Sequence, residues 1–151
     1  MRVAALVSLI CVSCTCLPVP TTDTSPPLAS VVVEYREPGG PRVSRTLTQA
    51  DADVSINASK DDNVTVLFSG SDEQGVRQVE LVYDMTFYSG NSISQPTLLP
   101  IKVDANCPKQ SLFNTHKFEP SSSNYNYEFR SRATNWLNLA TQTGKVTVHG
   151  Q

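Results

Sequence analysis

Apolar residues recur at every second position through long stretches of this 151-residue chain, and that period of two is what most restricts its fold. Side chains alternate across a strand but return every 3.6 residues around a helix, so such runs bury a single face only as strands. Val31, Val33 and Tyr35 alternate with Ser30, Glu34 and Arg36, with Val32 out of step. Val64, Val66 and Phe68 alternate with Asn63, Thr65 and Ser69, which sends Leu67 to the outer face. Val79, Leu81, Tyr83, Met85 and Phe87 share one parity, as do Tyr125, Tyr127, Phe129, Ser131 and Ala133, and Val146 and Val148 close the series. No window repeats apolar residues at i, i+3, i+4 and i+7 over three turns, so little or no helix is expected beyond the N-terminal residues.

The breaks between runs carry turn chemistry. Pro38-Gly39-Gly40-Pro41 is a strong turn signal, and Gly75, behind Asp72-Glu73-Gln74, suits a position of positive φ. Leu98 to Val103 reads as a further strand, with Pro100 tolerable at an edge or bulge. Asp104 to Ser123 reads as a loop with a short strand around Leu112-Phe113 and a polar turn at Pro120 to Ser123.

The first residues follow different rules. Met1-Arg2 supplies a positive start, and Val3 to Val12 is apolar apart from Ser8. A run of this length matches the hydrophobic part of a signal peptide and falls well short of the roughly 20 residues a membrane-spanning helix needs. Pro18 and Pro20 then stop any regular element. Residues 1–13 are therefore read as a signal peptide, 14–29 as a Pro/Thr/Ser-rich tether, and 30–151 as one domain. A domain of this size can bury a core without a metal or a dense disulfide framework.

Three of the four cysteines, Cys11, Cys14 and Cys16, crowd the leader, and Cys107 stands alone in the body. The crowding resembles a bacterial lipoprotein signal, in which a cysteine behind small residues becomes the lipidated first residue. Val12 and Ser13 fit the two positions before Cys14, although Cys11 stands where Leu is usual. Cys16 is the alternative, and ordinary cleavage after Ser13 a third course. With the lipid on Cys14, Cys16 and Cys107 remain available for a disulfide in an oxidising compartment; with the lipid on Cys16, Cys107 is a lone thiol.

Two segments together resemble the immunoglobulin-like domains of bacterial surface proteins, which are similar to fibronectin type III and cadherin-type sandwiches. Asn63 to Tyr83, with Asp72-Glu73 and Gly75 in its middle, resembles that family's B strand, acidic-Gly turn and C strand. Tyr127 to Val148, with Ala133-Thr134-Asn135 at its bend, resembles the F–G hairpin. Leu137-Asn138 departs from the family's usual Gly-Asn. No cysteine pair is placed to bridge the sheets, and Trp136 falls in the turn instead of strand C. The resemblance implies a single immunoglobulin-like antiparallel β-sandwich of about seven strands, and it implies no particular activity.

Charge and chemistry narrow the function by exclusion. A formal net charge of −2 provides no basic footprint for nucleic acid. Of the two histidines, His149 lies near the C-terminus and His116 beside Lys117, and no G-x-S-x-G accompanies either, so no catalytic residue is assigned. Asp104, Cys107 and His116 are too scattered for a zinc site. Asp51, Asp53, Asp61, Asp62, Asp72 and Glu73 are the hard carboxylates a calcium ion would need, with Asp72 and Glu73 the best placed, but they lack a D-x-D-x-D-G spacing. No cofactor is expected. Trp136, flanked by Asn135 and Leu137, is the first choice for a ligand contact; the opposing reading folds it back as a lid on the domain end. The expectation is an exported, lipid-anchored, non-enzymatic binding or structural module at the cell surface, its partners a membrane and an unidentified protein or glycan. A carbohydrate-binding accessory protein is the alternative, and a small hydrolase stands behind it.

Overall fold

The computed structural model describes residues 16–22, 24–89, 92–94, 99–118 and 124–151. The apolar leader and Cys14 lie outside the described residues, as does the turn read at Pro120 to Ser123.

The described residues form nine strands and no helix: β1 (Leu28–Arg36), β2 (Arg42–Thr48), β3 (Val54–Ala58), β4 (Val64–Ser89), β5 (Ser92–Ser94), β6 (Ile101–Phe118), β7 (Asn124–Asn135), β8 (Ala140–Gln142) and β9 (Val146–Gly150). They join into one sheet of order β2-β1-β4-β7-β9-β3, with β5 and β6 also on β4 and β8 on β7.

β4 is the spine, and its 26 residues do not run straight. Its first part, Val64 to Ser71, lies between β1 and β6; from Val76 onward it pairs with β7, and the ladder shifts register between Ser71 and Val76. Such a shift kinks a strand and tightens its twist. Gly75 makes the kink possible, with φ at 114° and no room for a side chain: a Cβ there would meet Pro108 Cβ at 2.5 Å. β6 bends with it. Its Ser111 to Phe118 part pairs with the first half of β4, and its Ile101 to Asp104 part pairs with the second. Pro108, which has no N–H to donate, occupies the irregular stretch between them. The segment read as an acidic turn between two strands is thus a bend within one continuous strand.

The bend curls the sheet so that its two halves face each other across one core. Val31, Val33, Val64, Val66 and Phe68 of the first half are fully buried, as are Val79, Leu81, Phe129, Ala133, Val146 and Val148 of the second. Ser131 reaches across to donate its hydroxyl to the carbonyl of Ser69 at 3.3 Å. Burial of a Val, Leu or Phe side chain is worth about 1.5–3 kcal/mol, and a one-residue slip would turn a whole row outward, so the register is strongly specified. Val32 and Leu67, the two residues out of step, are cross-strand neighbours on the outer face and only partly covered.

Two expectations need correction. The sheet is mixed and not wholly antiparallel, because β3 runs parallel to β9. Asp104 to Phe118 is no loop: β6 continues through it as an 18-residue strand. β2 and β3, over which the alternation carried no expectation, are strands as well. β1 begins at Leu28, and upstream of it Cys16 is tied to β6.

Candidate functional site

The bends in β4 and β6 build one end of the domain, and the stretch read as a tether is fastened there. Cys16 is bonded to Cys107 of β6, with their Cα atoms 5.6 Å apart. The next residue continues the attachment: Leu17 donates its N–H to the carbonyl of Pro108 at 2.9 Å. From this anchor Leu17 to Thr22 runs past Glu73 and Gln74, lining a groove with them. Ser25, Pro26 and Leu28 line a second groove of about 470 Å³ against Ser71 to Gln74 and Gln110. Pro27 is buried as the chain enters β1.

The turn between β7 and β8 completes this end. Asn135, wholly buried, accepts the N–H groups of Leu137 (3.1 Å) and Leu139 (2.9 Å) on its side-chain oxygen. Its amide reaches the carbonyl of Ser25 at 3.4 Å, joining turn to strap. Asn138 takes a φ of 64°, a conformation Asn tolerates better than most residues, and accepts a hydrogen bond from Arg77 at 2.6 Å. Asn135 and Lys109 are both ladder neighbours of Val76, which places them two strand spacings apart, about 10 Å.

Trp136 sits in this turn half-buried, with its indole nitrogen shielded from solvent and without a hydrogen-bond partner. Asp72 and Glu73 lie on the bend: one Asp72 oxygen accepts the N–H of Gln74 at 2.7 Å, its other oxygen is buried and unpartnered, and Glu73 is exposed. The other candidates lie elsewhere: Asp61 is exposed, and the remaining three are engaged. Asp51 accepts the N–H and hydroxyl of Thr48 (2.6 and 2.8 Å), Asp53 the N–H of Lys145 (2.7 Å), and Asp62 bonds to both Arg36 and Arg42 at 3.0 Å. Among the described residues no three His, Cys, Asp or Glu side chains come together as a metal site. Asp104, Cys107 and His116 are not assembled either, since Cys107 is spent on the disulfide.

His116 is inward-facing on β6, edge-on to Phe118 at 4.8 Å and 6.3 Å from Tyr83, and burial lowers its pKa. His149 shares a hydrogen bond with Asn126 at 2.8 Å. Tyr127, in the same aromatic cluster, has its phenol pushed up to about 12 by burial and by Tyr125 and Tyr83.

The chain matches no family model, no curated protein and no solved structure. Two residues have roles that sequence reasoning did not assign. Asn135 organises the β7–β8 turn, and only its place ahead of Trp-Leu-Asn hinted at it. Glu80, nearly buried on the outer face, holds Lys102 at 2.6 Å and lies 3.8 Å from Arg132, its cross-strand neighbours on β6 and β7.

Proposed function

We propose that this chain is an exported protein, anchored by a lipid on Cys14, that presents an immunoglobulin-like β-sandwich at the cell surface as a non-enzymatic binding or structural module. The observation that carries the reading is the Cys16–Cys107 disulfide lying directly behind an apolar leader. Disulfides persist in oxidising compartments, and a signal-type leader is the route to one. The curled sheet, with β1 and the first half of β4 facing β7 and the second half of β4, supports the sandwich. Both histidines support the non-enzymatic part, one packed among rings and the other bonded to Asn126.

Intact-mass analysis of protein purified from the membrane fraction tests the anchor. The expected species begins at Cys14, carries acyl mass and contains one disulfide. A soluble chain with an unmodified N-terminus would sink the proposal.

A further inference from the structure

We infer that the Cys16–Cys107 bond short-circuits the tether and presses one identified end of the domain, the end carrying Cys107 and Trp136, against the bilayer. The inference rests on the lipid anchor proposed above and adds to it a membrane-facing surface.

The argument is one of chain length. A tether running free from Cys14 to β1 at Leu28 would reach roughly 50 Å when extended. The disulfide moves the point of attachment to Cys16, two residues from the lipidated position, so the free reach falls to about 7 Å. Leu17 to Pro27 then forms a closed strap, held at one end by the disulfide and the Leu17–Pro108 hydrogen bond and at the other by β1. Its length no longer sets the height of the domain.

The surface turned toward the lipid suits that position. Val19 (63% exposed), Leu28 (58%) and Leu137 (36%) present large apolar side chains at this end, amid the polar groups of Glu73, Gln74 and Arg77. Amphipathic surfaces of this kind sit comfortably at a headgroup boundary. Trp136, the only tryptophan, directly follows Asn135, which lies two strand spacings, about 10 Å, from Lys109 on the disulfide-bearing strand, so the protein carries its own reporter at this end.

The experiment places the full lipoprotein in phosphatidylcholine vesicles containing phosphatidylcholine spin-labelled at the headgroup, and reads quenching of Trp136. Two insertion variants are compared with the parent, each carrying a flexible Gly/Ser segment of about ten residues that adds roughly 17 Å of mean reach. One insert lies between Thr15 and Cys16, the other between Pro20 and Thr21. Circular dichroism and non-reducing mass confirm that each variant is folded and disulfide-bonded. The expected pattern is strong quenching in the parent, loss of quenching with the insert before Cys16, and parental quenching with the insert after it. Equal loss from both inserts, or no quenching in an acylated parent, overturns the closed strap and leaves the anchor standing. An intact mass without acyl groups removes the anchor, and this inference with it.

Discussion

A Cβ placed on Gly70 would stand 2.6 Å from the Cβ of Ala133, so the two halves of the curled sheet approach as closely as one missing methyl allows. Val79 and Val76 crowd the same spot at 3.0 and 3.4 Å, which leaves an added methyl no direction of escape. Gly70→Ala should therefore destabilise the fold by about 1–3 kcal/mol, the usual cost of overpacking a tight core. Ala133→Gly in the same chain removes the opposing methyl and should recover part of the loss. Urea midpoints of the two single variants and the pair check this. Strictly additive losses would show that the two positions do not meet.

The disulfide closes a long loop, its cysteines 91 positions apart, and so restricts the unfolded chain strongly. Its reduction, or Cys107→Ser, should cost about 2–5 kcal/mol. The native sheet should persist, because β4, β6 and β7 retain their ladders and their buried rows without it. Denaturant unfolding with and without reductant, alongside far-ultraviolet circular dichroism, measures both parts. An unchanged midpoint would mean that the bond does not constrain the unfolded ensemble.

The parts of this fold that were legible in the sequence are those in which a local pattern and the tertiary environment agree. Val64, Val66 and Phe68, or Tyr125, Tyr127 and Phe129, alternate cleanly with polar residues and are buried as that alternation requires. β6 was legible only at Leu98 to Val103 and around Leu112-Phe113, because its inward row of Leu112, Asn114, His116 and Phe118 is half polar and hides the period of two that joins them into one strand. The kink at Gly75 illustrates a different limit. Local signals show that the chain changes direction there, but whether the ladder stops or continues depends on Pro108, far along the chain. The same holds for the candidate site. Cysteine counting left Cys16 and Cys107 as possible partners, but nothing around Cys16 indicated that the proline-rich stretch lies against β4 and β6.

Stability should fall in two stages as the solution is acidified. Burial lowers the pKa of His116, so the unfolded chain takes up a proton first, near the ordinary value of about 6.5. The stability held by the neutral imidazole is present above that pH and is lost as pH falls toward the lower folded value. For Asp62, burial pushes upward but is outweighed by Arg36, Arg42 and the Asn63 N–H, leaving the carboxyl below its usual range. Asp51 is lowered too, by the backbone N–H and hydroxyl of Thr48. These two contribute above the ordinary carboxylate value of about 4 and lose their contribution below it. Urea midpoints across the acid range should show His116→Gln removing the upper stage and Asp62→Asn weakening the lower. A His116→Gln profile that keeps the full slope just below neutrality would refute the assignment.

Asn135 gives the sharpest side-chain prediction, because its two ends do different things. Its oxygen satisfies the N–H groups of Leu137 and Leu139, and its amide holds the carbonyl of Ser25 on the strap. Asn135→Ala strips partners from a wholly buried position, and each buried polar group left unsatisfied costs about 1–3 kcal/mol. Asn135→Asp keeps an acceptor for both turn N–H groups and loses the donor to Ser25, while its buried carboxylate adds a desolvation cost of its own, so the readout that separates the two ends is local protection and not overall stability. Loss of that donor should also loosen the strap without breaking the disulfide. Hydrogen exchange separates the two effects: in Asn135→Asp the amides around Ser25 should exchange faster while those of Leu137 and Leu139 stay protected. In Asn135→Ala both groups should exchange faster. Equal protection of the strap in the parent and the aspartate variant would mean that the Asn135–Ser25 hydrogen bond does not hold it.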